Sequence, residues 1–136
     1  MERERYYETI VIGAGAGGLF FGAACPVSGG GTGCTLILEK TNRIGTKLLM
    51  SGSGQCNLTH GGSIKEFLSC YGQNGKRIRT VLYRHNNIEM QDFIQDLGIT
   101  TIEREDGKIF PASLRAKDVQ GALIRRCERN GVEIKK

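Results

Sequence analysis

A chain of 136 residues with 39% hydrophobic and 24% charged residues is one modest globular domain or part of one, which excludes two full domains and a disordered or fibrous class. The formal charge of +5 arises mostly after residue 60, where fourteen Lys/Arg face ten Asp/Glu; interspersed along expected helices, these read as a solvated face, so nucleic acid is not expected as a partner. Five cysteines without a CxxC pair support neither a disulfide framework nor a metal site, and with no span-length apolar stretch or signal-peptide core the expectation is a cytoplasmic chain with no membrane partner.

Residues 7–12 read as a short buried strand, because Ile10, Val11 and Ile12 form a continuous β-branched run ending at a glycine cluster. Residues 16–24 (AGGLFFGAA) are small or apolar, which suits a helix packed closely on a sheet, with Pro26 ending it. A glycine-rich loop follows at 28–33, then a second buried strand at 34–39 (CTLILE) closing with an acid. Residues 41–62 hold many turn formers and little period, which predicts a long loop with one helical turn at 47–50. Short helices are expected at 64–71 and 76–83. A longer one is expected at 87–97, with Ile88, Phe93, Ile94 and Leu97 inward and Gly98 as its stop. Strands at 100–103 and 108–110 flank Asp106-Gly107, a hairpin turn signal. The last helix runs over about 117–130, with Val119, Leu123, Ile124 and Cys127 on one stripe and Gly131 as cap, before a strand beginning at 132–134. This order predicts an α/β class, a Rossmann-like βαβ domain with a parallel sheet, interrupted by a helical and hairpin insertion at about 62–115 and incomplete at its C-terminus.

The sharpest motif is Gly13-Ala-Gly15-Ala16-Gly17-Gly18, set between the first strand and the first helix. Gly13 permits the tight turn, Gly15 lets the backbone approach a pyrophosphate, and Gly18 lets the helix sit close to the strand. The helix N-terminus then offers unpaired N–H groups and partial positive charge to phosphates. Glu39 ends the second strand about 20 residues later, where a carboxylate can accept from ribose hydroxyls and would repel a 2′-phosphate. A second motif, Lys47-Leu-Leu-Met-Ser51-Gly52-Ser-Gly54-Gln55-Cys56-Asn57, is rich in accessible N–H and hydroxyl donors suited to phosphate or a flat ring; by composition alone it could equally be a plain turn. Cys56 invites a redox role, but with no second cysteine nearby it reads as inert, and His60 and His85 read as polar residues without a catalytic task.

The segments IVIGAGAGGL, LILEK, GTKLLMSGSGQCNLTH, KIFPAS and AKDV together resemble the N-terminal portion of a bacterial FAD-dependent oxidoreductase family, the aminoacetone-oxidase-like flavoproteins of the glutathione-reductase-like group. That resemblance implies FAD with its pyrophosphate at Gly13, Gly15, Ala16, Gly17 and Gly18 and its adenosine ribose at Glu39 and Lys40. It implies that Lys47, Ser51, Gly52, Gly54, Cys56 and Asn57 lie near the rest of the cofactor, with NAD(P)H a possible electron donor and a small molecule as substrate. Gln55 departs from the arginine that the family pattern carries before the cysteine, so a charge role there is not expected. The family's later segments are not in this sequence; the expectation is a partial domain that lacks the C-terminal part of its own chain and is inactive alone. A non-catalytic nucleotide- or RNA-associated module is the alternative, and an NAD-dependent dehydrogenase portion is permitted by Glu39 but disfavoured by the 47–57 segment.

Overall fold

The computed structural model describes residues 6–25 and 35–136; the expected helix end at Pro26, the 28–33 loop and Cys34 lie outside the described residues. Three parallel strands, β1 (Thr9–Ile12), β2 (Thr35–Leu38) and β6 (Glu133–Lys135), form a sheet ordered β1-β2-β6, with Ile10 opposite Leu36 and Ile37 opposite Ile134. The order advances in one direction, so right-handed connections lay their helices on the same face. α1 (Ala16–Ala24) and α6 (Ala116–Arg129) accordingly pack on each other over Val11, Ile37 and Ile134. Leu19, Ile37, Val119, Leu123 and Cys127 are fully buried there, each large aliphatic contributing about 1.5–3 kcal/mol by leaving water. Gly22 is what lets the layers close, since a Cβ on it would stand 2.9 Å from Cys127 Sγ and 3.0 Å from Ile37 Cδ1.

The expected burial of the whole first strand is corrected. Only alternate residues face the helices, and Ile10 and Ile12 on the other face are 56% and 81% exposed, beside Leu38. The cause is the strand order: both helices cover one face, which leaves Ile10 and Ile12 on the other, where Leu36 in the neighbouring strand is the buried exception.

The segment between β2 and α6 is more ordered than a loop. It holds α2 (Thr46–Met50), a tight 3-10 turn at Ser51–Gly54, β3 (Thr59–His60), α3 (Ile64–Cys70), α4 (Gly75–Arg84), α5 (Asn87–Asp96), β4 (Thr101–Glu103) and β5 (Lys108–Pro111). The expected hairpin turn is present, with Gly107 N donating to Arg104 O and a positive φ at Gly107. β3, which falls inside the loop expected over 41–62, pairs with β5 to make an antiparallel sheet ordered β3-β5-β4. α3 and α5 start with capping boxes, Ser63 with Glu66 and Asn86 with Glu89, each satisfying N–H groups that a first turn leaves free. Within α5, Ile94 is buried and Met90, Phe93 and Leu97 join the core, whereas Ile88 is exposed, so the inward set differs at that position from the expected one.

Candidate functional site

The glycine motif forms the turn between β1 and α1. Gly13 has φ +100° and donates its N–H to Leu38 O at 2.7 Å, which joins the turn to the end of β2. Gly18 is held against the turn so closely that a Cβ would lie 2.1 Å from Gly13 O. Gly15 and Gly17 face the opposite situation, with no atom within 4 Å of where a Cβ would stand. The start of α1 is therefore an open cradle, with Gly15 as N-cap, no side-chain cap and no acid in the first turn. Such a helix N-terminus presents free N–H groups and partial positive charge, which suits the diphosphate of a dinucleotide.

Glu39 follows β2 and binds protein as well as facing the site. Its Oε2 accepts from Ala14 N at 2.9 Å, and its Oε1 accepts from Thr41 Oγ1 at 2.8 Å and Thr41 N at 2.9 Å. The Thr41 hydroxyl and then the Thr41 and Ala14 N–H groups hold this carboxyl below its ordinary value, so it is a carboxylate at neutral pH. Its remaining lone pairs are what a ribose hydroxyl would use. Ala14 is wholly buried and clamped on both sides, because its carbonyl accepts from Gly45 N at 2.8 Å. Gln120 on α6 donates to Ile44 O at 2.6 Å, which fixes the same stretch from the other side. Ala14, Thr41, Gly45 and Gln120 were not singled out in the sequence; only the acid at a strand end gave a signal.

The clamp brings the 47–57 segment beside the glycine turn. Lys40 and Lys47 are exposed, Lys47 on α2, and Ser51 Oγ donates to Leu48 O at 2.8 Å. Gly52, Ser53, Gly54 and Cys56 all have positive φ, at 55°, 55°, 84° and 63°. Ser53 and Cys56 pay a conformational cost there that glycine avoids, the kind of local strain that collects at ligand sites. Cys56 is buried, and burial pushes its thiol up from the ordinary value, opposed by a hydrogen bond with Ser51, in keeping with an inert role. Asn57, with its amide nitrogen turned toward them, donates to Thr59 O at 2.9 Å and Ile109 O at 3.2 Å, and so anchors the segment on the second sheet.

Gln55 is itself uncharged, and a cation from elsewhere in the chain stands beside it. Its Oε1 accepts from Arg104 Nη2 at 2.6 Å, and the same guanidinium lies 4.1 Å from the centre of the Phe110 ring. A cation is thus supplied from the β4–β5 hairpin. A cavity of about 530 Å³ adjoins this segment, lined by Arg43, Leu49, Gly54, Arg115, Lys117 and Gln120 among others. The three cations in its lining favour an anion. His60 has both ring nitrogens at carbonyls, Nδ1 at 2.8 Å from Gly61 O and Nε2 at 2.9 Å from Asp106 O, which is a structural clasp away from the cradle. Among the described residues no cluster of His, Cys, Asp or Glu could hold a metal, and no helix is long and apolar enough to cross a membrane.

The open cradle, the free helix N-terminus and the ionised Glu39 fit a dinucleotide, with Gly15 and Gly17 leaving the space that a Cβ would fill. Comparison with known proteins agrees. A family model described as "HI0933-like protein Rossmann domain" matches residues 7–136. The chain is 33% identical over 131 residues to a ribosomal RNA dihydrouridine synthase of Haemophilus influenzae, covering 96% of this chain and 31% of that protein. It is 35% identical over 125 residues to a 3-dehydro-bile acid delta(4,6)-reductase of Clostridium scindens, covering 91% and 29%. It is 30% identical over 132 residues to a ribosomal RNA dihydrouridine synthase of Escherichia coli, covering 97% and 31%. Among solved structures, that of Thermovibrio ammonificans THI4 superposes with TM-score 0.54 at 12% identity, over 95% of this chain and 38% of that one, a likeness of fold.

Proposed function

The chain belongs to the HI0933-like Rossmann-domain family, and from that premise we propose that it is the FAD-binding portion of a flavin-dependent reductase. The observation that carries the reading is the Ala14 clamp, which sets the Gly13–Gly18 cradle, the Glu39 carboxylate and the 47–57 segment side by side. The N–H groups of Ala16, Gly17 and Gly18 would hold the pyrophosphate. Glu39 would accept from the adenosine ribose beside Lys40. Lys47, Ser51, Gly52, Gly54, Cys56 and Asn57 would border the remainder, with Arg43, Arg115 and Lys117 adding positive charge. When bound, FAD supplies the electron transfer, and the protein supplies binding, orientation and the field around it.

The alternative of a non-catalytic module is not favoured, because the named relatives are enzymes. Their names share one chemistry. Making dihydrouridine, and reducing delta(4,6) bonds in a 3-dehydro steroid, both saturate a carbon–carbon double bond conjugated with a carbonyl. We carry that reaction class to this chain, with NADH or NADPH as electron donor, and within the family we keep the aminoacetone-oxidase-like likeness carried by KLLMSGSGQCN. The chain spans 29–31% of the curated relatives' lengths, so a longer polypeptide is proposed to complete the site.

The test is spectroscopic. A polypeptide of the relatives' length should purify with flavin absorption bands that bleach anaerobically with NADH or NADPH and return on adding a conjugated enone or a uridine-containing RNA. The 136-residue chain alone should bind FAD weakly or not at all and show no turnover. Colourless long protein that takes up no added FAD overturns the reading, and a yellow, active 136-residue preparation overturns the claim of incompleteness.

A further inference from the structure

Residues 63–86 carry Lys65, Lys76, Arg77, Arg79 and Arg84 against the single acid Glu66, so this one segment holds four of the chain's five net positive charges. The fold gathers what looks interspersed in the sequence. α3 and α4 pack mainly on one another as a hairpin, and of their residues only Gly75 is buried, at the point where a Cβ would lie 2.5 Å from Leu68 O. Glu66 is engaged at the start of α3, where it accepts from Ser63 N at 2.7 Å. α4 contains no acid at all.

On α4 the half-buried Ile78 and Leu82, four apart, form the inward stripe. By helical spacing, Lys76, Arg77, Tyr83 and Arg84 fall on the opposite side, with Arg79 at its border; all five side chains are exposed. Arg79 lies 5.5 Å from the centre of the exposed Tyr83 ring, and Tyr71 is exposed at the hairpin bend. We propose that this hairpin docks RNA. Three of the four α4 cations are arginines, whose planar forks match phosphate oxygens, and exposed tyrosines among them offer faces on which unpaired bases stack. An anionic membrane would match the charge, but Ile78 and Leu82 are half-buried, which leaves Val81 as the one exposed aliphatic of α4 to enter it. Duplex DNA would leave the tyrosines without unpaired bases.

The inference deepens the reductase reading by naming the surface that would hold an RNA substrate, and depends on that reading only for the reduction step after docking. Docking itself is read at equilibrium without turnover, so its failure is distinct from a failure of the flavin reading, which shows in the absorption spectrum. The probe is a fluorescein-labelled RNA stem-loop, followed by anisotropy with the full-length protein. With about four phosphates neutralised, affinity should fall about 50-fold between ~50 and ~200 mM salt. The K76Q/R77Q/R79Q/R84Q variant should lose nearly all binding while keeping its far-UV circular dichroism, because none of the four side chains is buried. Tyr83→Ala should weaken binding of the stem-loop several-fold and leave a fully paired RNA duplex unaffected, which keeps the test decisive if the quadruple variant unfolds. Arg129→Gln, one charge removed elsewhere, should change affinity little. Equal RNA affinity of the quadruple variant and wild type overturns the proposal. So does tighter binding to duplex DNA, binding to phosphatidylserine vesicles without binding to RNA, or no binding to the stem-loop at low salt.

Discussion

Gly18→Ala adds one methyl at the place where the cradle is tightest. Built on the backbone, that Cβ would sit 2.1 Å from Gly13 O and 3.3 Å from Val11 Cγ1. The first distance is at least ~1.4 Å short of the ~3.5 Å optimum for such a pair, and the obstacle is backbone, which cannot rotate away. Overpacking of this kind costs about 3 kcal/mol, at the upper end of its usual range, while replacing a helical glycine by alanine returns up to ~1 kcal/mol. A net loss of about 2 kcal/mol remains, which for a chain of this size moves the urea midpoint down by roughly 1 M. Gly17→Ala is the matched control: it gains the same helix propensity and meets nothing within 4 Å. Its midpoint should stay level or rise by up to ~0.5 M. Urea unfolding of both variants, followed by far-UV circular dichroism, decides the matter. Coincident unfolding curves for the two would refute the close helix-to-turn packing, and with it the reason a glycine is needed at 18. In a flavin-binding preparation, Gly18→Ala should also lower FAD affinity, since the turn must move to admit the methyl.

Glu39→Gln tests the clamp by pH. The Glu39 carboxyl titrates below its ordinary value of 4.5 in the fold, so its stabilisation is present above that value and is lost as pH falls through the lower folded value. Wild type should therefore lose stability more steeply than Glu39→Gln as the pH drops below 4.5, and thermal melts that stay parallel there would contradict the clamp. Gln55→Arg sets a second guanidinium against Arg104 and should lower Tm by about 2 °C, with Arg104→Gln in the same chain restoring it. In thiol titration with a chromogenic disulfide at pH 8, exposed Cys70 should react at once. Cys56 and Cys127 should react only on unfolding, burial having pushed the Cys127 thiol up to about 11; rapid modification of Cys127 in the native protein would contradict the packing of α1 on α6, and of Cys56 the burial of the 51–57 turn.

The first βαβ unit was legible because two strong local signals coincide: a β-branched run meeting a glycine cluster, and a small-residue helix whose bounds in the structure, Ala16–Ala24, match the reading. Which face of β1 would be buried was not legible. Ile10 and Ile12 carry the same chemistry as Val11, and only the strand order β1-β2-β6, a property of the whole chain, leaves them on the open side. β3 was missed for a related reason. Two residues, Thr59 and His60, have no period to detect, and they become a strand only because β5 offers them a partner.

The site divides along the same line. Glycines and the strand-end acid announce themselves, because few residues can do what those positions require. Ala14 gives no such signal, yet its peptide group joins both halves of the site: its N–H reaches Glu39 and its carbonyl receives Gly45. Backbone hydrogen bonds of this kind leave almost no trace in side-chain identity. Charge behaves likewise. Arg104 reaches Gln55 from 49 residues away, so the cation absent from that position in the sequence is present beside it in the fold. A side chain's role at this site is therefore fixed jointly by its own type and by what the hairpin and α6 bring to it, which is why the Gln55→Arg and Arg104→Gln changes are expected to compensate one another rather than add.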